Sequence, residues 1–456
     1  MLYAWAMSTS EQAPSSGFAA PPSASQSPSP LRQPRRWPIE PPEPLLLSAP
    51  PRYHLGHALR YSGLYGLPPL IYGEDDAVPT LQAVLYPEAA GFRTPGTPPA
   101  VEVLIVQPRP QSDQPLLVYG MHPSPLADAL LEQLRLMLRL DDDLGVFYRL
   151  TDQDPELAWV AASDGGRLLR APTAFEDLVQ CLALSYAPPA LAAGFLHELG
   201  EAIGPRTTLG RRGTPGPAAI AELPPRLYDQ LIAQCSERLA LKSAHPAAAA
   251  AAGPQPRRSS AGAARRAATV RRLGAALREL ACLCATGALH PESLRRRPGE
   301  LTRALDTQDD ELWQDALHEE LEWQERIRAL LESLPGFRRS RGGPQAVQEM
   351  LLRLGCYDGL HLDTATRAAW EQRFHKPNAA ARARGAALAR SRSGAAAAAA
   401  ATPAVASGPR TRDEQQAHAL LLVRRIDRRV SPFSIYRGLA QALLLRVPKA
   451  AYSPRQ

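Results

Sequence analysis

The chain has 456 residues, with 52 Lys+Arg against 45 Asp+Glu, a net charge of +7 and a pI near 9.3. That length admits two or three domains, and the basic balance, carried far more by arginine than by lysine, admits a polyanionic partner without demanding one. No run of about eighteen apolar residues occurs outside the alanine tracts, so no membrane span is expected.

Residues 1–51 are dense in Pro, Ser and Ala and read as a disordered tail. The opening Met1-Leu2-Tyr3-Ala4-Trp5-Ala6-Met7 is too short for a signal sequence, while the Ser- and Arg-rich tail leaves a transit peptide open. Residues 52–123 are expected to form a small antiparallel β domain, from the runs 81–86, 101–106 and 116–119 between Gly and Pro turns. From 124 the pattern turns helical. Leu126, Leu130, Leu134, Met137 and Leu138 recur at three- and four-residue steps, which predicts an amphipathic helix over 126–140. Thr173 reads as an N-cap, with Glu176 completing a capping box. Further helices are expected at 155–161, 173–185, 188–203, 217–222, 226–242, 269–287, 309–333, 344–354, 364–374 and 414–445.

Two Ala/Arg stretches, 244–268 and 376–413, lack apolar periodicity and read as low-complexity inserts. They divide the helical body into 124–243, 269–375 and a C-terminal part, 414–456. The absence of alternating strand and helix beyond residue 120 argues against a doubly wound sheet. The fold class is therefore α+β, mainly α. Cys181, Cys235, Cys282, Cys284 and Cys356 lie mostly in apolar helical stretches and are expected to be reduced, buried thiols of an intracellular protein.

Several landmarks occur in a telling order: Leu140-Asp141-Asp142-Asp143-Leu144 with Tyr148; Leu168-Leu169-Arg170-Ala171-Pro172 running to Phe175-Glu176-Asp177-Leu178; Pro215-Gly216-Pro217; Leu334-Pro335-Gly336-Phe337 followed by Gly343-Pro344-Gln345; Leu360-His361-Leu362-Asp363-Thr364; and Tyr436-Arg437-Gly438-Leu439-Ala440. Over about three quarters of the chain this order resembles the helix-hairpin-helix DNA glycosylase superfamily, in particular its 8-oxoguanine and 3-methyladenine branches. The resemblance implies an all-helical glycosylase core behind the β domain. It also implies a base-excision enzyme acting as a monomer on duplex DNA with a damaged base, without cofactor, metal or membrane. Its place would be the nucleus in a eukaryote or the nucleoid in a bacterium.

The chemistry can be argued from the residues. Breaking an N-glycosidic bond builds positive charge on the sugar, which an ionised carboxylate can stabilise while orienting water. Asp363 is the candidate, although by position alone it also reads as the N-cap of the helix at Thr364. Leu334, Pro335, Gly336, Phe337 and Gly343 make the turn whose backbone N–H groups would hold phosphate, the glycines allowing close approach of DNA. Arg338, Arg339 and Arg341, within a five-residue interruption of the family's turn, would add cations. Gln345 stands where bifunctional relatives carry a Schiff-base lysine, and an amide cannot be that nucleophile. Tyr186 is placed as the wedge that fills the gap left by a flipped base; it also reads as a core tyrosine. Cys282 and Cys284 lack iron–sulfur spacing, and Trp313, Leu317 and Leu321 read as core. Two rivals remain: a catalytically impaired DNA-binding relative, and a helical scaffold with basic disordered arms.

Overall fold

The computed structural model describes residues 43–357 except 52, 62–66, 74–77, 90–98, 109–113, 143, 155–156, 163–164, 208, 243–257, 296–309 and 341, and in addition 430, 440 and 441. Asp363, Arg341 and the run 436–439 lie outside the described residues, as do the expected helix 364–374 and most of 414–445.

The chain is mainly helical, with one small antiparallel sheet on its N-terminal side. Strands β1 (Leu45–Leu47), β2 (Ile71–Gly73), β3 (Thr80–Leu85), β4 (Val101–Val106) and β5 (Leu116–Tyr119) are ordered β1-β5-β4-β3-β2, every neighbouring pair antiparallel. Helix α1 (Leu55–Tyr61) falls between the first two strands. The tail therefore ends earlier than residue 51, because Leu45–Leu47 pairs with Leu116–Val118 and buries Leu47. Three residues in a proline-dense stretch give no periodicity to read, yet they satisfy the edge of β5.

Helix α2 (Pro125–Leu138) lies across the sheet. It is started by Ser124, whose hydroxyl accepts from Ala127 N at 3.1 Å, with proline in the first turn. Its apolar stripe, Leu130, Leu134, Met137 and Leu138, joins Leu81, Val103, Ile105 and Val118 in one core. The other face of the sheet is also covered. Thr207 pairs with Ala100, Glu102 meets Arg211 at 3.3 Å, and Tyr86 OH accepts from Thr214 N at 2.7 Å. That explains why β3 and β4 are almost wholly buried and do not alternate cleanly.

The helical body contains α3 (Gly145–Asp152), α4 (Ala158–Ala162), α5 (Ala174–Tyr186), α6 (Pro189–Ile203), α7 (Pro217–Ala221), α8 (Pro225–Lys242), α9 (Arg258–Ala285), a 3-10 turn (Pro291–Leu294), α10 (Asp310–Ser333), α11 (Pro335–Arg339) and α12 (Gly343–Leu354). A second core holds it together, with α5 at its centre: Leu178 and Leu182 pack with Leu273, Leu277, Leu331, Phe337, Val347 and Leu351. Two expectations are corrected. The stretch 244–268 is not structureless throughout, because α9 begins at Arg258; alanine and arginine are strong helix formers even where no apolar stripe marks the period. Leu321 is 36% exposed, and among the described side chains of α10 the buried apolar ones are Ile327 and Leu331. The side chains of Trp313 and Leu317 lie outside what is described. No described helix is long and apolar enough to cross a membrane.

Candidate nucleic-acid interface

Behind the surface of interest lies a buried arginine network that pins the two cores together. Arg139, the C-cap of α2, adopts a left-handed backbone (φ 57°), a conformation that costs a non-glycine residue about 1 kcal/mol or more. The turn sends its guanidinium to the far end of α12, where it donates to the carbonyls of Leu352 and Arg353, both at 2.5 Å. Those oxygens belong to the last turn of a helix, where carbonyls run short of intrahelical donors; Leu352 O also accepts Gly355 N at 3.3 Å, and a cation there suits the helix dipole. Asp142 Oδ2 receives Arg139 Nη1 at 2.9 Å and Arg170 Nη2 at 3.3 Å, while Arg139 also donates to Tyr357 OH. Arg167 donates to the carbonyls of Arg139 (2.5 Å) and Asp142 (2.6 Å).

Asp177, wholly buried in the first turn of α5, is the second anion. Its Oδ1 accepts Ala171 N at 2.8 Å and Arg353 Nη1 at 3.3 Å, and its Oδ2 accepts Arg295 Nη2 at 2.7 Å. Gln180 takes a further Arg353 bond at 3.0 Å. Burial, and then the charge of Arg170, work against protonation of Arg139; a guanidinium nonetheless keeps its proton in proteins. Every acid in the network is therefore committed to holding cations in place. Its consequence is mechanical: it holds Tyr357, six positions before Asp363 in the sequence.

Beside this network Thr173 caps α5 by accepting Glu176 N at 3.1 Å, as expected, but the reciprocal half of the capping box is absent. The Glu176 carboxyl instead turns inward near Tyr86 and accepts Gln180 Nε2 at 3.4 Å. Burial, reinforced by the charge of Asp177, pushes it up to about 8.

The opposite end of α5 builds the exposed surface. Tyr186 is its last residue and is half-buried. The turn after α10 packs against it so closely that a Cβ on Gly342 would stand 2.8 Å from the Ser185 carbonyl oxygen. Gly336 is needed for an internal reason, since a Cβ there would stand 2.6 Å from Leu182 Cδ1. At Gly343 the clash would be with the Phe337 carbonyl, the tight point of the turn itself. These glycines thus serve packing within the protein, a role the sequence alone does not show.

The interruption Arg338–Gly342 is accommodated by extending Pro-Gly-Phe into α11, so that Arg338 and Arg339 sit on a short helix. Both are exposed, and Arg339 pairs with Glu279 of α9 at 2.8 Å. Leu334 and Phe337 are buried in the helical core, where their side chains hold the turn. Gly343 N donates to Ser340 O at 3.2 Å, so that amide is already engaged. Pro344 is exposed, and Gln345 is partly exposed in the first turn of α12. Tyr186 lies within electrostatic reach of Arg339, Glu279 and Arg272; burial pushes its phenol up, and Arg339 opposes that shift.

The structure therefore brings together Tyr186, the Leu334–Gly343 turn and Arg339, and adds Glu279 and Arg272, which sequence reasoning missed. The buried network was missed too, although a signal existed. Arg139 and Arg353 are each flanked by leucine on both sides, and Arg170 lies between Leu169 and Ala171. An arginine inside an apolar run must either break the run or be buried with a partner. Among the described residues no group of three or more His, Cys, Asp or Glu side chains could hold a metal ion. The cysteines are free, with Cys181, Cys235 and Cys356 buried.

No family model matches the sequence, and no curated protein matches it. Solved structures do. A structure of MBOgg1 in complex with a low-affinity DNA ligand matches at 12% identity and a TM-score of 0.39, covering 83% of this chain and 97% of that one. The apo form of the Clostridium acetobutylicum 8-oxoguanine glycosylase/lyase matches at 13% identity and a TM-score of 0.39, over 83% and 98%. The same enzyme with double-stranded DNA containing cytosine opposite 8-oxoG matches at 12% identity and a TM-score of 0.39, over 84% and 97%.

Proposed function

We propose that the protein is a base-excision DNA N-glycosylase that flips a damaged purine out of duplex DNA and hydrolyses its glycosidic bond. The observation that carries this reading is the meeting of Tyr186 with the Leu334–Gly343 turn and exposed arginine on one face. An aromatic side chain beside cations is what a protein needs to hold a distorted duplex. The cations take phosphate, and the ring offsets part of the unstacking cost when a base leaves the stack.

In this reading Arg338 and Arg339, with Arg341, contact the backbone, and Arg339 exchanges Glu279 for a phosphate. Tyr186 fills the vacated space. Asp363 supplies the carboxylate that stabilises positive charge on the sugar and orients the attacking water. Gln345 offers no amine, so the product is an abasic site in an intact strand. The engaged Gly343 amide shifts phosphate binding from a backbone cradle toward side chains, and it favours keeping the binding-only relative as the second reading.

A panel of duplexes, each with one defined lesion including 8-oxoguanine and alkylated purines, tests this directly. Strand cleavage that appears only after alkali, for at least one lesion, is the expected result. Tight duplex binding with no excision of any lesion would select the binding-only relative, and neither binding nor excision would select the scaffold.

A further inference from the structure

Helix α9 has an unusual solvent face. Its 28 residues carry Arg258, Arg265, Arg266, Arg271, Arg272 and Arg278, and the first acid, Glu279, comes only near the end. Val270, Leu273, Leu277 and Leu280 are buried against the core, whereas Ala261, Ala264, Arg265, Ala268, Arg271, Arg272 and Ala275 are exposed. The outward surface of the helix is therefore arginine separated mostly by methyl groups, with no acid on the helix itself before Glu279.

Arg265, Arg272 and Glu279 follow at seven-residue steps, which keeps them on nearly one line of the helix, about 10 Å apart. The end of that line is Glu279, paired with Arg339 of the turn and close to Tyr186.

Helix α10, which leads into the turn, has the reverse character. Helix α10 carries Asp310, Glu311, Asp315, Glu319, Glu320, Glu322, Glu325 and Glu332 against Arg326 and Arg328. Both α9 and α10 pack on α11. A polyanion arriving at the turn thus meets attraction along α9 and repulsion along α10.

From this juxtaposition we infer that Arg272 and Arg265 form a phosphate-contacting rail, so that a bound duplex extends from the turn along α9 and away from α10. The inference rests on the DNA-binding reading above and adds an element, a direction and two residues to it. Duplex DNA is a suitable partner because it presents one negative charge per roughly 1.7 Å of axis. A rail of guanidiniums can follow it without reading bases.

The test is the salt dependence of binding of the full chain to undamaged duplex DNA, for wild type, Arg265→Gln/Arg272→Gln and Arg265→Lys/Arg272→Lys. Both positions are exposed, and circular dichroism checks that the fold is kept. The Gln pair is expected to flatten the slope of log K against log salt by about 1 to 2, at roughly 0.9 per lost contact. The Lys pair should keep most of the slope, because a phosphate rail needs charge more than fork geometry. An unchanged slope in the Gln pair, with wild type still salt-steep, would overturn the rail and leave the functional reading standing. A wild type without salt-dependent duplex binding would overturn the functional reading itself, and the rail with it.

Discussion

Two populations of arginine in this protein do different work, and the difference lies in the acids around them. Arg139, Arg170, Arg295 and Arg353 have almost no exposed side chain and are held by Asp142, Asp177 and backbone carbonyls. Arg265, Arg271, Arg272 and Arg338 are exposed. A guanidinium taken out of water must be matched closely by carboxylates and carbonyls or it destabilises the fold. One left in water beside few acids keeps its field available to a ligand. The protein uses the first kind to fix the relative placement of its sheet, α5 and α12, and the second kind to make a surface.

The comparison breaks most sharply at Asp177. Replacing it with alanine leaves Arg353 and Arg295 without their shared anion in the interior, and a loss of about 3–5 kcal/mol is expected. Chemical denaturation measures this, with Arg338→Ala, on the exposed side, expected to stay within about 0.5 kcal/mol of wild type. A similar loss in both variants would erase the distinction between the populations.

A middle-sized effect concerns the junction of the two regions. Gly336→Ala places a methyl 2.6 Å from Leu182 Cδ1 in a filled core, and overpacking of this kind costs about 1–3 kcal/mol. If the glycine mattered only for DNA approach, stability would be unchanged and duplex binding alone would weaken.

A third effect is a pH dependence. Glu176 is raised from 4.5 to about 8 on folding, so between those values the native state holds a proton that the unfolded state lacks. Stability from this group is present below the lower value and is lost as pH rises through the upper one. The melting temperature of wild type should therefore fall between about pH 5 and pH 9 more than that of Glu176→Gln, by several degrees. Parallel curves would mean that the carboxyl is solvated and ionised throughout.

How much of this was legible beforehand depended on which physical signal each part leaves. The strand 116–119 and the helix at 125–138 announce themselves by period, because burial on one face writes alternation or a stripe into the sequence, and 101–106 shows as an apolar run between turns. β1 and β2 span three residues each, too few for any period, and exist because a neighbouring strand supplies partners. Helix α9 begins at Arg258 through alanine and arginine propensity alone, and an apolar-pattern reading takes that start for filler. The turn at Leu334 was visible as Pro-Gly, but its lining was not: Ser185, Glu279 and Arg272 come from α5 and α9, distant in sequence, and are joined to it only by packing. Thr173 is legible as a cap, whereas the inward turn of Glu176 depends on Tyr86, some ninety positions earlier.

The measurement that bears most directly on the proposed activity is single-turnover excision by Asp363→Asn, alongside duplex binding by the same variant. Asp363 is assigned to charge that exists only in the transition state, where a preorganised group contributes about 3 kcal/mol or more. The account predicts that excision falls at least about a hundredfold while duplex affinity stays within a few fold of wild type. Excision at a near-normal rate by Asp363→Asn would contradict it.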